Sequence, residues 1–322
     1  MNYELLELLK KNDYVSGTRI GEVLGISRSA VWKNIEALRR EGCVIEAVTN
    51  RDYRLITSGE YNAAAVCEKL ETDFIGRSIR FYKDIPSTND KLKTLAATGE
   101  KDGTAVVAVT QSAGRGRRGR IWLSAEDKGV YFSLLVRPEI GLANASAITL
   151  VAGLSVCRAL NDAFGVKALI KWPNDVTCGG KKICGILSEM GAEGYDISYI
   201  VIGIGINTDE SHFDGELKDI ATSVYMETGA KPDKAAVLAE VLNRFEKYYN
   251  IYIKDGFEAL KAEYKALSTV IGKRVHVLGV NGFDGVAEDV LNDGALVVRD
   301  TDGRLRNVYS GEVSLRLWEA EK

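Results

Sequence analysis

Residues 114–120 read GRGRRGR: three glycines and four arginines in seven positions, directly after the apolar run TAVVAVT at 104–110. Neither a helix interior nor a buried strand suits that composition, because four like charges repel along the most flexible kind of backbone. Gly114, Gly116 and Gly119 do fit the G-x-G-x-x-G pattern of a dinucleotide-binding turn, and Glu139 follows about 20 residues on. That pattern requires a helix aimed at pyrophosphate, yet IWLS and the strand-like VYFSLLV (130–136) come next, with only about ten residues between. A phosphate-binding P-loop fails as well, since Arg120 and Ile121 stand where a lysine and a hydroxyl residue are needed. A disordered RNA-binding tract would be a long repeat, not seven residues between strands. What remains is a loop whose backbone N–H groups and guanidinium forks close over a polyanion, and which is expected to stay disordered until that anion arrives.

The strip has to act locally, because the 322-residue chain carries a net charge of -3 and attracts no anion as a whole. The five cysteines, Cys43, Cys67, Cys157, Cys178 and Cys184, are odd in number and contain no C-x-x-C pair. They read as reduced thiols of a cytoplasmic protein. His212 and His276 are the two histidines, too far apart in sequence to suggest a histidine triad or a multi-histidine metal site. There is no 18-residue apolar run, and MNYELLELLKKND reads as an acidic amphipathic helix, so no membrane partner is expected.

The hydrophobic period changes twice along the chain, which suggests three units: 1–62, 63–268 and 269–322. In the first, leucines at 5, 6, 8 and 9, then Ile20, Val23 and Leu24, then Val31, Ile35 and Leu38 mark three short helices. Gly25 can make the turn between the second and third, and Ser27 can cap the third, which carries Arg28, Lys33, Arg39 and Arg40. CVIEAVTNRDYRLI then alternates like a hairpin. Together these describe a winged helix-turn-helix in which Ser27, Arg28, Ser29 and Lys33 approach base edges and Arg51, at the hairpin tip, approaches phosphate. The balance of nine basic and nine acidic residues over 1–60 leaves a protein-interaction module open as well. The second unit mixes strand-like runs (AVVAVT, VYFSLLV, ISYIVIGIGI) with helix-like ones at 144–164 and 234–266, as an α/β or α+β domain does. The third holds short, evenly spaced β segments with Gly and Asn/Asp turns, the pattern of a small barrel.

Four further clusters accompany the strip. PSTND (86–90) gathers hydrogen-bonding side chains at a possible helix start, and KWPND (171–175) joins a cation, an aromatic, a turn and a carboxylate. GGKKICGILSE places Lys181 and Lys182 at the mouth of an apolar run, and GIGIN ends a strand at Asn207. Each alone suits an ordinary cap, turn or hairpin. In this order and spacing, "STN" at 87–89, Gln111 with GRGRRGR, KWPND, KKICGIL and GIGIN resemble the biotin protein ligases, specifically the bifunctional bacterial type that also represses the biotin operon. The resemblance spans nearly the whole chain. One departure is the hairpin tip TNRDY, which lacks the glycine-rich turn expected there.

The resemblance implies a multi-domain α+β protein: a winged helix-turn-helix, a mixed-sheet ligase domain like that of class II synthetases, and a C-terminal SH3-like β-barrel. It implies that biotin and ATP, with Mg2+, give biotinoyl-5′-AMP, and that a lysine of a biotin carboxyl carrier protein then takes the acyl group. Ser87, Thr88, Asn89, Gln111, Arg115, Gly116, Arg117 and Lys182 are implied to hold biotin, with Lys182, Arg117 and Arg115 acting in the chemistry. Arg118, Arg120, Lys171, Asn174 and Asn207 are assigned to the nucleotide; no metal ligand set is expected beyond ATP phosphates, with Asp175 a candidate contact. Operator DNA, and a homodimer formed when adenylate is bound, complete the implied partners. A lipoate-type protein ligase and a catalytically inactive, ligand-sensing regulator are the alternatives.

Overall fold

The computed structural model describes residues 3–12, 14–40, 43–48, 52–57, 61–194, 196–278, 282–309 and 314–317. The chain begins with α1 (Tyr3–Lys10), β1 (Val15–Ser16), α2 (Gly17–Leu24), α3 (Arg28–Arg40) and a hairpin of β2 (Val44–Val48) and β3 (Asp52–Thr57), with β1 pairing beside β3. Leu5, Leu6, Leu9, Ile20, Val31, Ile35 and Leu38 are buried together. Val23, expected among them, is 48% exposed instead. Gly25, at φ 64°, ends α2 in the left-handed conformation that glycine adopts without a Cβ penalty. Ser27 Oγ then accepts the Ala30 N–H at 3.3 Å, so α3 starts three residues after Gly25, and this is a helix-turn-helix with its wing. Arg51 and its neighbours at the hairpin tip lie outside the described residues.

The central sheet has seven strands in the order β4-β5-β6-β10-β9-β8-β7, with β4 and β5 parallel and the other pairs antiparallel. They are β4 (Ile79–Ile85), β5 (Ala105–Gln111), β6 (Gly129–Val136), β7 (Leu169–Lys171), β8 (Asp175–Cys178), β9 (Lys181–Glu193) and β10 (Asp196–Asn207). The helices of this unit are α4 (Ala63–Glu68), α5 (Thr88–Ala97), α6 (Ala147–Phe164), α7 (Leu217–Ile220), α8 (Val224–Thr228), α9 (Lys234–Asp255) and α10 (Glu258–Ala266). α5 crosses from β4 to its parallel neighbour β5 and packs on one sheet face, where Leu92, Ala96, Val106, Leu135 and Val201 form a core of their own. α6 and α9 pack against each other, and α6 reaches β9. α6 is long and apolar enough to cross a membrane, but it is a core helix here, with Ile148, Val151, Leu154, Val156 and Leu160 all buried.

The last unit is a five-stranded antiparallel sheet, β14-β13-β12-β11-β15, built from β11 (Arg274–Leu278), β12 (Phe283–Val290), β13 (Leu296–Asp300), β14 (Leu305–Val308) and β15 (Ser314–Leu317). It is tied to the central unit by a buried hydrogen bond from Trp172 Nε1 to the Gly294 carbonyl, 3.0 Å. Lys261 and Lys265 of α10 add ion pairs to Asp289 at 2.9 and 3.0 Å.

Candidate functional site

Register places the site. Ser133, the one serine in β6, pairs with Gly203 of β10, and Gly203 also pairs with Leu187 of β9; two residues along, Gly205 pairs with Gly185. Side chains of paired residues share a sheet face, so two glycines of β10 leave a trough beneath the start of α5. Asn89 drops into it: a Cβ on Gly203 would sit 2.1 Å from Asn89 Oδ1. Ser133 Oγ lies 2.5 Å from Asn89 Oδ1 and 2.8 Å from Thr88 Oγ1. Asn89 Nδ2 donates to Glu189 Oε2 at 2.9 Å. The Thr88 amide and hydroxyl both donate to Gln111 Oε1, and Gln111 Nε2 donates to Ser124 Oγ at 2.8 Å. Ser87 meanwhile caps α5, its Oγ accepting the Asp90 N–H at 3.4 Å. Capping and site-building are therefore both served by the same three residues.

The glycine-arginine strip is more ordered than its charge suggested. It leaves β5 at Gln111 and returns at Ser124, with bridges Gln111–Ser124 and Arg115–Ile121 and a single turn of 3-10 helix at 117–119. Repulsion is relieved by dispersal. Arg115 reaches Asp90 at 2.6 Å and Glu189 at 3.2 Å, whereas Arg117 donates to Asn174 Oδ1 at 2.9 Å. Burial first, and then the charges of Arg118 and Arg120, lower the Arg117 pKa against a contrary pull from Asp175. An anion bound there would relieve that cost.

Burial by itself would raise the Asp90 carboxyl, but hydrogen bonds and charges from Lys93 and then Arg115 prevail and hold it below the ordinary carboxylate value. A depressed carboxylate stabilises the fold above its unfolded pKa and loses that contribution as pH falls through the native value. Asp90→Asn is accordingly expected to lower stability at neutral pH by no more than about 1 kcal/mol, given an exposed carboxylate. In strong acid the variant should match the parent. Denaturant titrations across pH test this, and a gap that stays constant into acid refutes it.

The far wall comes from KWPND. Lys171 of β7 pairs with Asp175 of β8, and Asn174 is clamped in the turn between them by its Nδ2 on the Ile186 carbonyl (3.0 Å) and its own carbonyl on the Ile186 N–H (2.9 Å). Lys182 Nζ stands 2.7 Å from Asp175 Oδ1, a charge contact without hydrogen-bond alignment, and 5.3 Å from the centre of the Trp122 ring. The indole lies directly on the glycine trough: a Cβ on Gly205 would fall 2.3 Å from Trp122 Nε1, and one on Gly185 2.8 Å from Cζ3. Its N–H is buried and makes no hydrogen bond.

One cavity is thus lined by Ser87, Thr88, Asn89, Gln111, Arg115, Gly116, Arg117, Asn174 and Lys182, residues separated by almost 100 positions in sequence. Arg118, Arg120 and Lys171 do not line it, and the Asn207 amide is spent on the Thr222 carbonyl at 3.0 Å. Trp122, Ser133 and Glu189 were not anticipated. A lone serine in the otherwise apolar VYFSLLV, and a tryptophan just after the cationic strip, were the available signals. Ser27, Arg28, Ser29 and Lys33 are exposed at the start of α3, whereas Arg51 falls outside the described residues. The five cysteines form no disulfide and are buried, and burial pushes Cys157 up to about 12 and Cys178 up to about 11, so neither of these two offers a thiolate at neutral pH. Among the described residues no three His, Cys, Asp or Glu side chains converge on a metal position.

Residues 3–54 match the HTH domain, 81–207 the Biotin/lipoate A/B protein ligase family, and 270–316 the Biotin protein ligase C terminal domain. The bifunctional ligase/repressor BirA of Bacillus subtilis is 39% identical over 97% of this chain and 98% of its own length. That of Escherichia coli is 31% identical over 99% and 98%. The biotin protein ligase of Aquifex aeolicus, solved in complex with biotin and ATP, superposes with a TM-score of 0.67 at 32% identity, covering 75% of this chain and 99% of that one.

Proposed function

We infer that this chain, which belongs to the biotin protein ligase family and within it to the bifunctional ligase/repressors, activates biotin with ATP, biotinylates a carrier protein and represses transcription through its helix-turn-helix. The observation that carries the ligase reading is the convergence of the 87–89 cap, the Arg115–Arg117 backbone and Lys182 on one trough floored by glycine. A fused-ring acid suits such a slot: its ring lies along the trough between the Trp122 indole and the 87–89 cap, its polar ring atoms meet the Thr88, Asn89 and Gln111 side chains, and its carboxylate points toward Lys182.

The first step joins a biotin carboxylate oxygen to the α-phosphorus of ATP, and pyrophosphate leaves with the electrons of the broken P–O bond. In the second step the lysine amine of a carrier protein attacks the acyl carbon, AMP leaves and the amine proton passes to solvent. We assign biotin contacts to Ser87, Thr88, Asn89, Gln111, Arg115, Gly116 and Arg117, and the bridge between carboxylate and α-phosphate to Lys182. The substrate supplies its own nucleophile, consistent with buried, neutral thiols. Asn174, fixed by Ile186 and touching Arg117, is the nucleotide-side residue the cavity supports most directly. Arg118, Arg120 and Lys171 reach the nucleotide in this reading only from the rim, and Asn207 acts by holding Thr222.

Magnesium supplies charge neutralisation on the triphosphate. The residues present suit an ion carried in by ATP better than a resident one, since Asp175 is a single carboxylate beside Lys182. We further place the unit boundaries at 62/63 and 268/269, the chain in the cytoplasm, in line with cysteines that form no disulfide, and a homodimer as the DNA-bound form. The strip joins ligand to surface in this scheme, because an adenylate that drew Arg115 and Arg117 from Asp90, Glu189 and Asn174 would change the face it presents.

Incubation with labelled biotin, ATP and a biotin carrier domain tests the ligase reading. Label on the acceptor lysine is the expected result. Adenylate without transfer, or label only when lipoate replaces biotin, refutes it in favour of a sensor or a lipoate-type ligase.

A further inference from the structure

Trp32 is 58% exposed, the most exposed aromatic side chain among the described residues, and neither the ligase chemistry nor the α3 core uses it. α3 turns Val31, Ile35 and Leu38 inward, each at most 1% exposed, and therefore presents Arg28, Ser29, Trp32 and Lys33 outward. Spacings of three and four residues (29 to 32, 28 to 32, 29 to 33) put these four on one face. The single carboxylate on α3, Glu36, is held by Arg39 at 2.7 Å, so the face around Trp32 is cationic. The Gly25 turn and the Ser27 cap fix α3 as the second helix of the helix-turn-helix, whose N-terminal half enters the major groove in such motifs.

We propose that Trp32 is a base-reading residue that recognises thymine by packing its indole on the 5-methyl group in the major groove, between polar contacts made by Arg28, Ser29 and Lys33. This rests on the repressor reading and extends it to sequence specificity. The chemistry favours thymine because its methyl is the one apolar group that the major-groove edge displays, whereas guanine, adenine and cytosine offer only donors and acceptors there. The cations supply attraction to phosphate and to guanine, so Trp32 adds discrimination rather than bulk affinity. An exposed indole on a neutral or acidic face would suit a protein partner better; here the surrounding charge suits a polyanion.

The experiment uses the full-length chain with biotin and ATP and a random-sequence duplex library. The wild type is expected to select half-sites containing thymine. Trp32→Ala should bind the selected duplex roughly 10- to 100-fold more weakly, the range of one mismatched base pair, while binding to non-specific duplex and ligase turnover stay within about two-fold. Replacing the selected thymines by uracil, which removes only the methyl, should reproduce the loss in the wild type and cost Trp32→Ala nothing further. Trp32→Phe, which keeps an aromatic face, should retain most of the preference. Uracil duplexes bound as tightly as thymine duplexes, or an unchanged motif from Trp32→Ala, overturn the proposal and leave DNA binding standing. A wild-type chain that selects no motif overturns the operator reading and this one with it.

Discussion

Lys182→Ala is expected to cut adenylate formation at least about 100-fold, in the range reached when one preorganised charge-stabilising group is removed from an active site. Two anions must meet for the first step, and like charges 4 Å apart repel by roughly 4 kcal/mol at an effective dielectric of 20. Lys182 Nζ stands at the end of the trough, 2.7 Å from Asp175 and over the face of Trp122, where it can offset that repulsion without reorganising. Deleting it does more than remove a cation. Asp175, whose Oδ1 is buried and makes no hydrogen bond, would then face the incoming phosphate as a third negative charge. The double variant Lys182→Ala with Asp175→Asn should therefore recover part of the loss. Lys182→Arg should not restore the rate, because a planar fork replaces a compact ammonium between indole and carboxylate. Pyrophosphate release measures the step directly, and preformed biotinoyl-AMP should still transfer at a rate far closer to wild type. Normal pyrophosphate yield from Lys182→Ala would sink the assignment.

What the sequence revealed and what it hid follow from the range of the interactions. The helix-turn-helix was legible because its signals are local: a left-handed glycine at 25, a capping serine at 27 and leucine and isoleucine at helical spacing. The strip was legible as a loop for the same reason, and the failure of the dinucleotide pattern could be argued from the ten residues that follow it. Disorder in the strip was expected because four charges were counted without their partners. Asp90, Glu189 and Asn174 come from α5, β9 and the KWPND turn, at separations no local pattern encodes. Trp122 was passed over because IWLS reads as the edge of a strand, and only the fold lays its ring on two glycines from β9 and β10. At Asn207 the pattern told less: a polar residue ending GIGIN suggested a ligand contact, and only the fold shows that its amide also holds the neighbouring segment at Thr222.

The trough also makes Gly205 the most informative residue to enlarge. Gly205→Ala is expected to weaken biotin binding by roughly 5- to 150-fold, the equivalent of about 1–3 kcal/mol of overpacking. Gly205 has no positive φ, so β10 itself accepts alanine; what the methyl meets is the Trp122 indole, 2.3 Å from Nε1 and 2.5 Å from Cε2. Trp122 belongs to a surface strip and its N–H has no hydrogen bond to lose, so the ring can swing away at little cost to the fold. Gly203→Ala is different, because the atom 2.1 Å away belongs to Asn89, buried and pinned by Ser133 and Glu189. That change should lower the melting temperature together with affinity. Gly205→Ala should separate them: the floor is narrowed and the indole displaced, while the hydrogen-bond network around Thr88 and Asn89 stays in place. Titration calorimetry with biotin gives the first quantity, and a red-shifted tryptophan emission in the ligand-free variant reports the second. Biotin affinity within two-fold of wild type would show that substrate binding does not depend on how this indole sits over the glycines.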